Sequence, residues 1–148
     1  MNALFQLLSP EEIPSLLEMM REFYAQQHMR FEEEIAADAI RKLLGNSAFG
    51  QIYLIFWGQQ LAGYFALTFC FSLEFHGRFG LLDELYLREP FRRKKLGQGV
   101  MGFAEEICRK EELKALRLEV GCENQSAASL YQKTGFKEEE RHLMTKWL

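Results

Sequence analysis

The stretch "QIYLIFWGQQLAGYFALTFCFS", residues 51–72, constrains the fold more than any other part of the chain. It is aromatic and β-branched almost throughout, and it is interrupted once by the polar turn Gly58-Gln59, so it reads as an antiparallel hairpin. The period on either side is different. Before it, "SPEEIPSLLEMMREFYAQQH" offers a Ser9 cap, Pro10 at the first helical position and acids in the first turn. Ile13, Leu16, Leu17, Met20, Phe23 and Tyr24 then recur at helical spacing. A second helix fits "FEEEIAADAIRKLLG", with Ile35, Ala36, Ala39, Ile40, Leu43 and Leu44 on one side and Gly45 as the stop.

After the hairpin, "RFGLLDELYL" reads as a further strand, and Val100, Phe103, Ala104, Ile107 and Cys108 share a helical face. On the opposite face of that helix, Glu105/Arg109 and Glu106/Lys110 are spaced for ion pairs. "ALRLEV" alternates as a strand, and "NQSAASLYQKTG" is a helix capped by Asn124 and closed by Gly135. "FKEEERHLMTKWL" is expected to supply a last strand or two. The expected order is two helices, a hairpin, then βαβαβ, an α/β chain with a mixed sheet flanked by helices.

The chain's 148 residues, 48% of them hydrophobic, fit one domain over residues 1–148. With 21 acidic against 18 basic side chains and a net charge of −3, the whole has no attraction for a polyanion, so no nucleic-acid partner is expected. The amino terminus lacks the pattern of a secretory signal, and no apolar run is long enough for a bilayer, so no membrane partner is expected and the reading is cytoplasmic. Cys70, Cys108 and Cys122 lack C-x-x-C spacing and read as reduced, buried thiols. The three His form no paired ligand pattern, so no metal site is expected.

One segment stands apart: "RRKKLGQG", with Arg92, Arg93, Lys94, Lys95, Leu96, Gly97, Gln98 and Gly99 between a strand and a helix. A helix's first turn leaves main-chain N–H groups unpaired, its dipole is positive there, and glycine allows close approach, so the junction can cradle a phosphate. A hydrated turn fits the segment equally well. It is neither a Walker loop nor a dinucleotide fingerprint, since both glycine patterns are absent. Without a second basic stripe or interleaved aromatics, a nucleic-acid patch is the weakest account.

Motifs further along favour the cradle. Leu85-Tyr86-Leu87, Arg92-x-x-Lys95-x-Gly97, Leu118-Glu119-Val120, and Asn124, Ala127, Leu130, Tyr131, Gly135 and Phe136 follow in order at set spacings. Over residues 51–140 the chain thereby resembles the GCN5-related N-acetyltransferase (GNAT) family. That family has an L-Y-V-like strand end, an [RQ]-x-x-G-x-G/A pyrophosphate loop, an L-x-V strand and N-x-x-A-x-x-L-Y-x-x-x-G-F. The resemblance implies the GNAT-like acyl-CoA N-acyltransferase fold, a mostly antiparallel sheet with splayed parallel strands. It also implies acetyl-CoA as co-substrate and a primary amine as acceptor. Lys95 departs from the pattern, standing where the family has glycine. It either weakens the cradle or adds a charge-assisted phosphate contact.

The resemblance further implies that Leu85, Tyr86 and Leu87 hold the pantetheine in strand fashion, that residues 92–99 hold the pyrophosphate, and that Asn124 and Ala127 complete the cofactor contacts. Tyr131 becomes the general acid for the leaving thiolate. Two carboxylates compete for the base. Glu84 matches the acidic position used on small amines, and Glu119 matches the one used on protein amino termini. Glu84 is favoured, with Asp83 beside it and Tyr24 in the acceptor pocket. His28, Phe71 and His76 are weaker candidates for that pocket. The expected acceptor is a polyamine, aminoglycoside or amino-acid-like molecule. The alternatives are a protein amine and a non-catalytic module that senses CoA. Homodimerisation is compatible with the sequence.

Overall fold

The computed structural model describes residues 2–148. Five strands form one sheet in chain order, β1 (Ala3–Leu7), β2 (Gly50–Trp57), β3 (Gln60–Ser72), β4 (Gly77–Leu87) and β5 (Leu116–Leu118). The first four run antiparallel to their neighbours, and β5 is parallel to β4. Four helices complete the described residues: α1 (Ile13–Gln26), α2 (Glu33–Leu44), α3 (Leu96–Lys110) and α4 (Gln125–Lys133).

The hairpin forms where expected, turning at Gly58 in the left-handed region with φ +63°. Alternation along it divides the core in two. Ile52, Leu54, Tyr64 and Ala66 pack with Leu16 and Leu17 of α1 and Ala37 and Ile40 of α2. Tyr53, Ile55, Phe65 and Leu67 point the other way, onto Leu96, Val100, Met101 and Ile107 of α3. A mixed sheet with helices on both faces is therefore what the residues build.

Local signals set the helix ends. Pro10–Glu12 form a short 3-10 turn ahead of α1. There the Ser9 N–H donates to Glu12 Oε2 at 3.0 Å, as the reciprocal half of a capping box. The Asn124 side chain accepts from the Ala127 N–H at 3.2 Å and starts α4. The expected Glu105–Arg109 pair forms at 3.2 Å.

Four expectations are corrected. Residues 3–7, placed ahead of a helical first third, form β1, because Phe5 fills the α3-side core against Phe65 and Phe103. On α2 the buried stripe runs through Ala37 and Ile40, while Ile35 is 63% exposed and Ala39 also faces out. Cys122 is exposed and Cys70 half-buried, and only Cys108 is buried as expected of all three. No strand follows Gly135 among the described residues. The segment is instead tied to β5 by Arg117–Glu139 at 3.0 Å and to the β3–β4 turn by Arg141–Glu74 at 2.8 Å. Its Glu138, Glu139 and Glu140 run breaks the alternation a strand needs, and β5, at three residues, offers little edge to pair with.

Candidate active site

Two irregularities in β4 create the site. The first is the end of its ladder with β5, which pairs Gly80, Leu81 and Leu82 with Leu116, Arg117 and Leu118 and then stops. Residues 83–87 of β4 keep β3 on one side and lose their neighbour on the other, so a row of main-chain donors and acceptors opens into a cleft. The strand reading of "ALRLEV" accordingly stops at Leu118, with Glu119 and Val120 leaving the sheet.

The second is a β-bulge. Ala66 of β3 faces Glu84 and Leu67 faces Leu82, so Asp83 is the extra residue. Strict alternation would put Leu82, Glu84 and Tyr86 on one face. With the bulge, Leu82 joins the α3-side core along with Leu85 and Leu87, while Tyr86 enters the α1-side core. Glu84 turns the same way as Tyr86, towards α1 and Tyr64.

There the Glu84 carboxylate meets two phenols. Tyr64 donates to Oε1 at 2.8 Å and Tyr24 of α1 donates to Oε2. Burial holds the Glu84 carboxyl above its ordinary range, the two phenols pull it back down, and the Asp83 charge adds to the rise. Burial likewise raises Asp83. Both phenols are pushed up by burial and by the carboxylate they touch, so they stay protonated as donors.

The cleft encloses about 470 Å³. Its walls bring together Asp83, Glu84, Leu85, Tyr86, Leu87, Arg92, Glu119, Asn124, Ala127 and Tyr131, ten of the expected site residues. Burial raises the Tyr131 phenol, keeping its proton in place, and its ring packs edge-on against Phe136. Arg92 folds back, donating to the Leu87 carbonyl at 2.8 Å and to Gln26 at 2.9 Å. Tyr24 reaches the site through Glu84 rather than as a wall.

Residues 93–99 stand outside those walls, in two parts. Leu96–Gly99 form the first turn of α3, and the Leu96 side chain is buried in the core. Arg93 and Lys95 are both left-handed, with φ +60° and +61°. A left-handed Lys95 followed by a helical Leu96 turns successive N–H groups to one side, the geometry of an anion nest. The first bond of the helix is donated by Gly99 to the Lys95 carbonyl at 3.1 Å. The N–H groups of Leu96, Gly97 and Gln98 have no main-chain acceptor among the described residues. Lys95 therefore keeps the conformation glycine would favour, and the junction presents unpaired main-chain donors. The Lys94 ammonium lies 5.9 Å from the centre of the Trp57 ring.

Some expectations lie elsewhere. Phe71 and His76 sit at the β3–β4 turn, the end of β4 opposite Leu87, and both are exposed. His28 is exposed beyond α1. Conversely, sequence reading passed over Tyr64, which is 1% exposed. Its signal was a phenol at an inward position of an apolar strand, where the hydroxyl needs a partner. Also unforeseen is the lattice beside it, where Arg88 grips Glu22 of α1 at 2.8 and 3.1 Å and Tyr86 donates to the same carboxylate at 2.9 Å.

No curated protein matches the chain. Among solved structures, an integron cassette protein from the mobile metagenome of Cole Harbour Salt Marsh is 29% identical with TM-score 0.87, covering 97% of this chain and 90% of that one. A predicted acetyltransferase with acetyl-CoA from Clostridium acetobutylicum is 12% identical with TM-score 0.82, covering 98% and 96%. An aminoglycoside antibiotic 6′-N-acetyltransferase from Acinetobacter baumannii is 15% identical with TM-score 0.80, covering 99% of both. No group of three metal-ligating side chains, and no helix long and apolar enough to cross a membrane, occurs among the described residues. The sequence profile of the acetyltransferase (GNAT) family matches residues 13–136, and with the splayed β4–β5 pair and the α3 junction in place the chain belongs to that family, an N-acetyltransferase with acetyl-CoA as co-substrate.

Proposed function

We propose that the chain acetylates the primary amine of a small cationic molecule of the polyamine, aminoglycoside or amino-acid-like kind, with Glu84 as base and Tyr131 as acid. The observation that carries this reading is the position of Glu84. It is half-buried, turned into the protein by the Asp83 bulge, and holds its proton more readily than a free carboxylate, as a base working near neutrality should. Glu119 also lines the cleft, but it lies beyond the end of β5, and among the described residues no hydrogen bond fixes its side chain.

Three carboxylates, Asp83, Glu84 and Glu119, line the cleft against a single cation, Arg92, whose guanidinium is already engaged by Leu87 and Gln26. Such a surface favours a positively charged acceptor. The similarity to an aminoglycoside acetyltransferase supports the same class.

Acetyl-CoA supplies a thioester whose carbonyl carbon bonds the amine nitrogen as the carbon–sulfur bond breaks. Glu84, directly or through a water, takes the proton the amine must lose. Tyr131 gives its proton to the departing sulfur and regains one from solvent. The open edge of β4 at Leu85 and Leu87 receives the pantetheine as an added strand, and the N–H groups of Leu96–Gln98 receive the pyrophosphate. Asn124, whose side chain is engaged in capping α4, and Ala127 line the cleft that would take the pantetheine.

The test is CoA release from acetyl-CoA against a panel of polyamines, aminoglycosides, amino acids and peptide amino termini, followed by pH–rate profiles of Glu84→Gln and Glu119→Gln. Release with a small polyamine or aminoglycoside, and loss of the acidic limb in Glu84→Gln alone, is the expected result. Release only with peptides, or loss of the limb in Glu119→Gln, would transfer the role to Glu119.

A further inference from the structure

We infer that Tyr24 and Tyr64 are positioning residues: two phenols from different elements that hold the Glu84 carboxylate by one oxygen each and leave its remaining lone pairs facing the cleft. The inference rests on the reading of Glu84 as base and adds how that base is oriented.

The geometry is specific. Tyr64 stands on β3, two residues from Ala66, which faces Glu84 across the ladder, and its ring is buried in the α1-side core. Its hydroxyl therefore has almost no freedom to swing, and Oε1 of Glu84 at 2.8 Å is its partner. Tyr24 arrives from α1 and donates to the other oxygen. Its ring is held edge-on by Phe23 and Phe31, centroids 5.8 and 5.6 Å away, so this second donor is also fixed. An ionised carboxylate has about four acceptor sites. Two phenols fill two of them and fix the torsion of the group, while the others stay free for a proton.

The bulge at Asp83 gives this arrangement its purpose. An unbulged strand would pair position 83 rather than 84 opposite Ala66, and the carboxylate would leave the face where both phenols wait. Donation from neutral phenols also stabilises the ionised form of the carboxylate, opposing the rise that burial causes. The other groups that bear on Glu84 are few. Asp83 neighbours it on β4, and Glu119 and Tyr131 share the cleft from the β5 and α4 sides. Arg92 lines the same cleft with its guanidinium turned to the Leu87 carbonyl and Gln26, and on α1 the Glu22 carboxylate is already paired with Arg88. No cation among these touches Glu84, so the phenols are its stabilising partners within the described residues.

The test is a pH titration of the Glu84 side-chain carboxyl carbon by NMR in the free, full-length protein, with Glu84→Gln identifying the resonance. Tyr64→Phe and Tyr24→Phe are each expected to raise the midpoint by about one pH unit, the consequence of losing one charge-assisted hydrogen bond to the ionised form. A purely structural role would lower the thermal midpoint and leave the titration in place. Tyr24→Phe, at a half-exposed helix position, guards against Tyr64→Phe failing to fold. An unchanged midpoint in the folded variants overturns the inference. Should the midpoints rise while Glu84→Gln keeps wild-type CoA release across the amine panel, the base reading falls and the phenol clamp stands as a structural fact.

Discussion

Arg88 at the end of β4 grips Glu22 of α1 through two nitrogens, at 2.8 and 3.1 Å, and so fixes the helix that carries Tyr24 to the strand that carries Glu84. The Arg88 hydrogen bonds hold the Glu22 carboxyl below its ordinary value of 4.5, against a smaller opposing effect of burial. A carboxylate depressed in the folded state stabilises the fold above its unfolded value, and that contribution fades as pH falls through the folded value. Glu22→Gln should therefore lower the thermal midpoint at pH 7 by about 2 to 4 °C, the response of a chain this size to losing about 1 kcal/mol at a partly solvated pair. The gap between wild type and variant should close in acid, below the depressed value. Melting curves at both pH values check this, and a gap that persists in acid would contradict it.

The two glycines of the basic segment differ in the room beside them. An added Cβ on Gly99 would meet the Phe5 ring of β1 at 3.4 Å, an ordinary contact, while one on Gly97 would stand 3.3 Å from Leu130 of α4. Gly99→Ala should raise stability by up to about 1 kcal/mol through helix propensity alone. Gly97→Ala should gain less, because α4 must give way by a few tenths of an ångström. Urea unfolding of the two variants gives the comparison, and equal gains would argue against the Leu130 contact.

Much of this fold is legible from period alone. The hairpin shows in 51–72, α3 in Val100, Phe103, Ala104, Ile107 and Cys108, and α4 in its Asn124 cap. These are local signals, carried by neighbours in sequence. What cannot be read in that way is set by contacts between distant residues. The bulge at Asp83 depends on register with β3, and Tyr64 finds its partner twenty positions away. "ALFQL" has no alternation to mark it, and becomes β1 because Phe5 has an aromatic pocket to fill. The site residues were legible as types at spacings, but their grouping into one cleft follows from where the β4–β5 ladder ends.

Tyr131 sits in the cleft wall with its proton held by burial, and its ring also packs on Phe136. Tyr131→Phe keeps that packing and removes only the hydroxyl. As general acid it should slow kcat on the order of 10²-fold, the low end of such contributions, with KM for acetyl-CoA little changed. Steady-state CoA release with the best amine of the panel measures both. A wild-type kcat would remove Tyr131 from the chemistry and leave it a core residue.

Lys95 holds a left-handed backbone at φ +61° where a side chain is disfavoured by roughly 1–2 kcal/mol. Glycine would relieve that strain but loses roughly 0.5–1 kcal/mol more freedom on folding. Lys95→Gly should therefore leave stability unchanged or raise it by about 1 kcal/mol. The informative measurement is CoA affinity by calorimetry at low and high salt. If the nest of main-chain N–H groups alone holds the pyrophosphate, the variant binds like wild type at both. If the Lys95 ammonium adds a charge-assisted contact, the variant binds more weakly at low salt and the difference shrinks as salt screens it. The second outcome is the expected one, because the exposed Lys95 side chain adds a positive charge at the start of α3, where an anionic pyrophosphate gains from it.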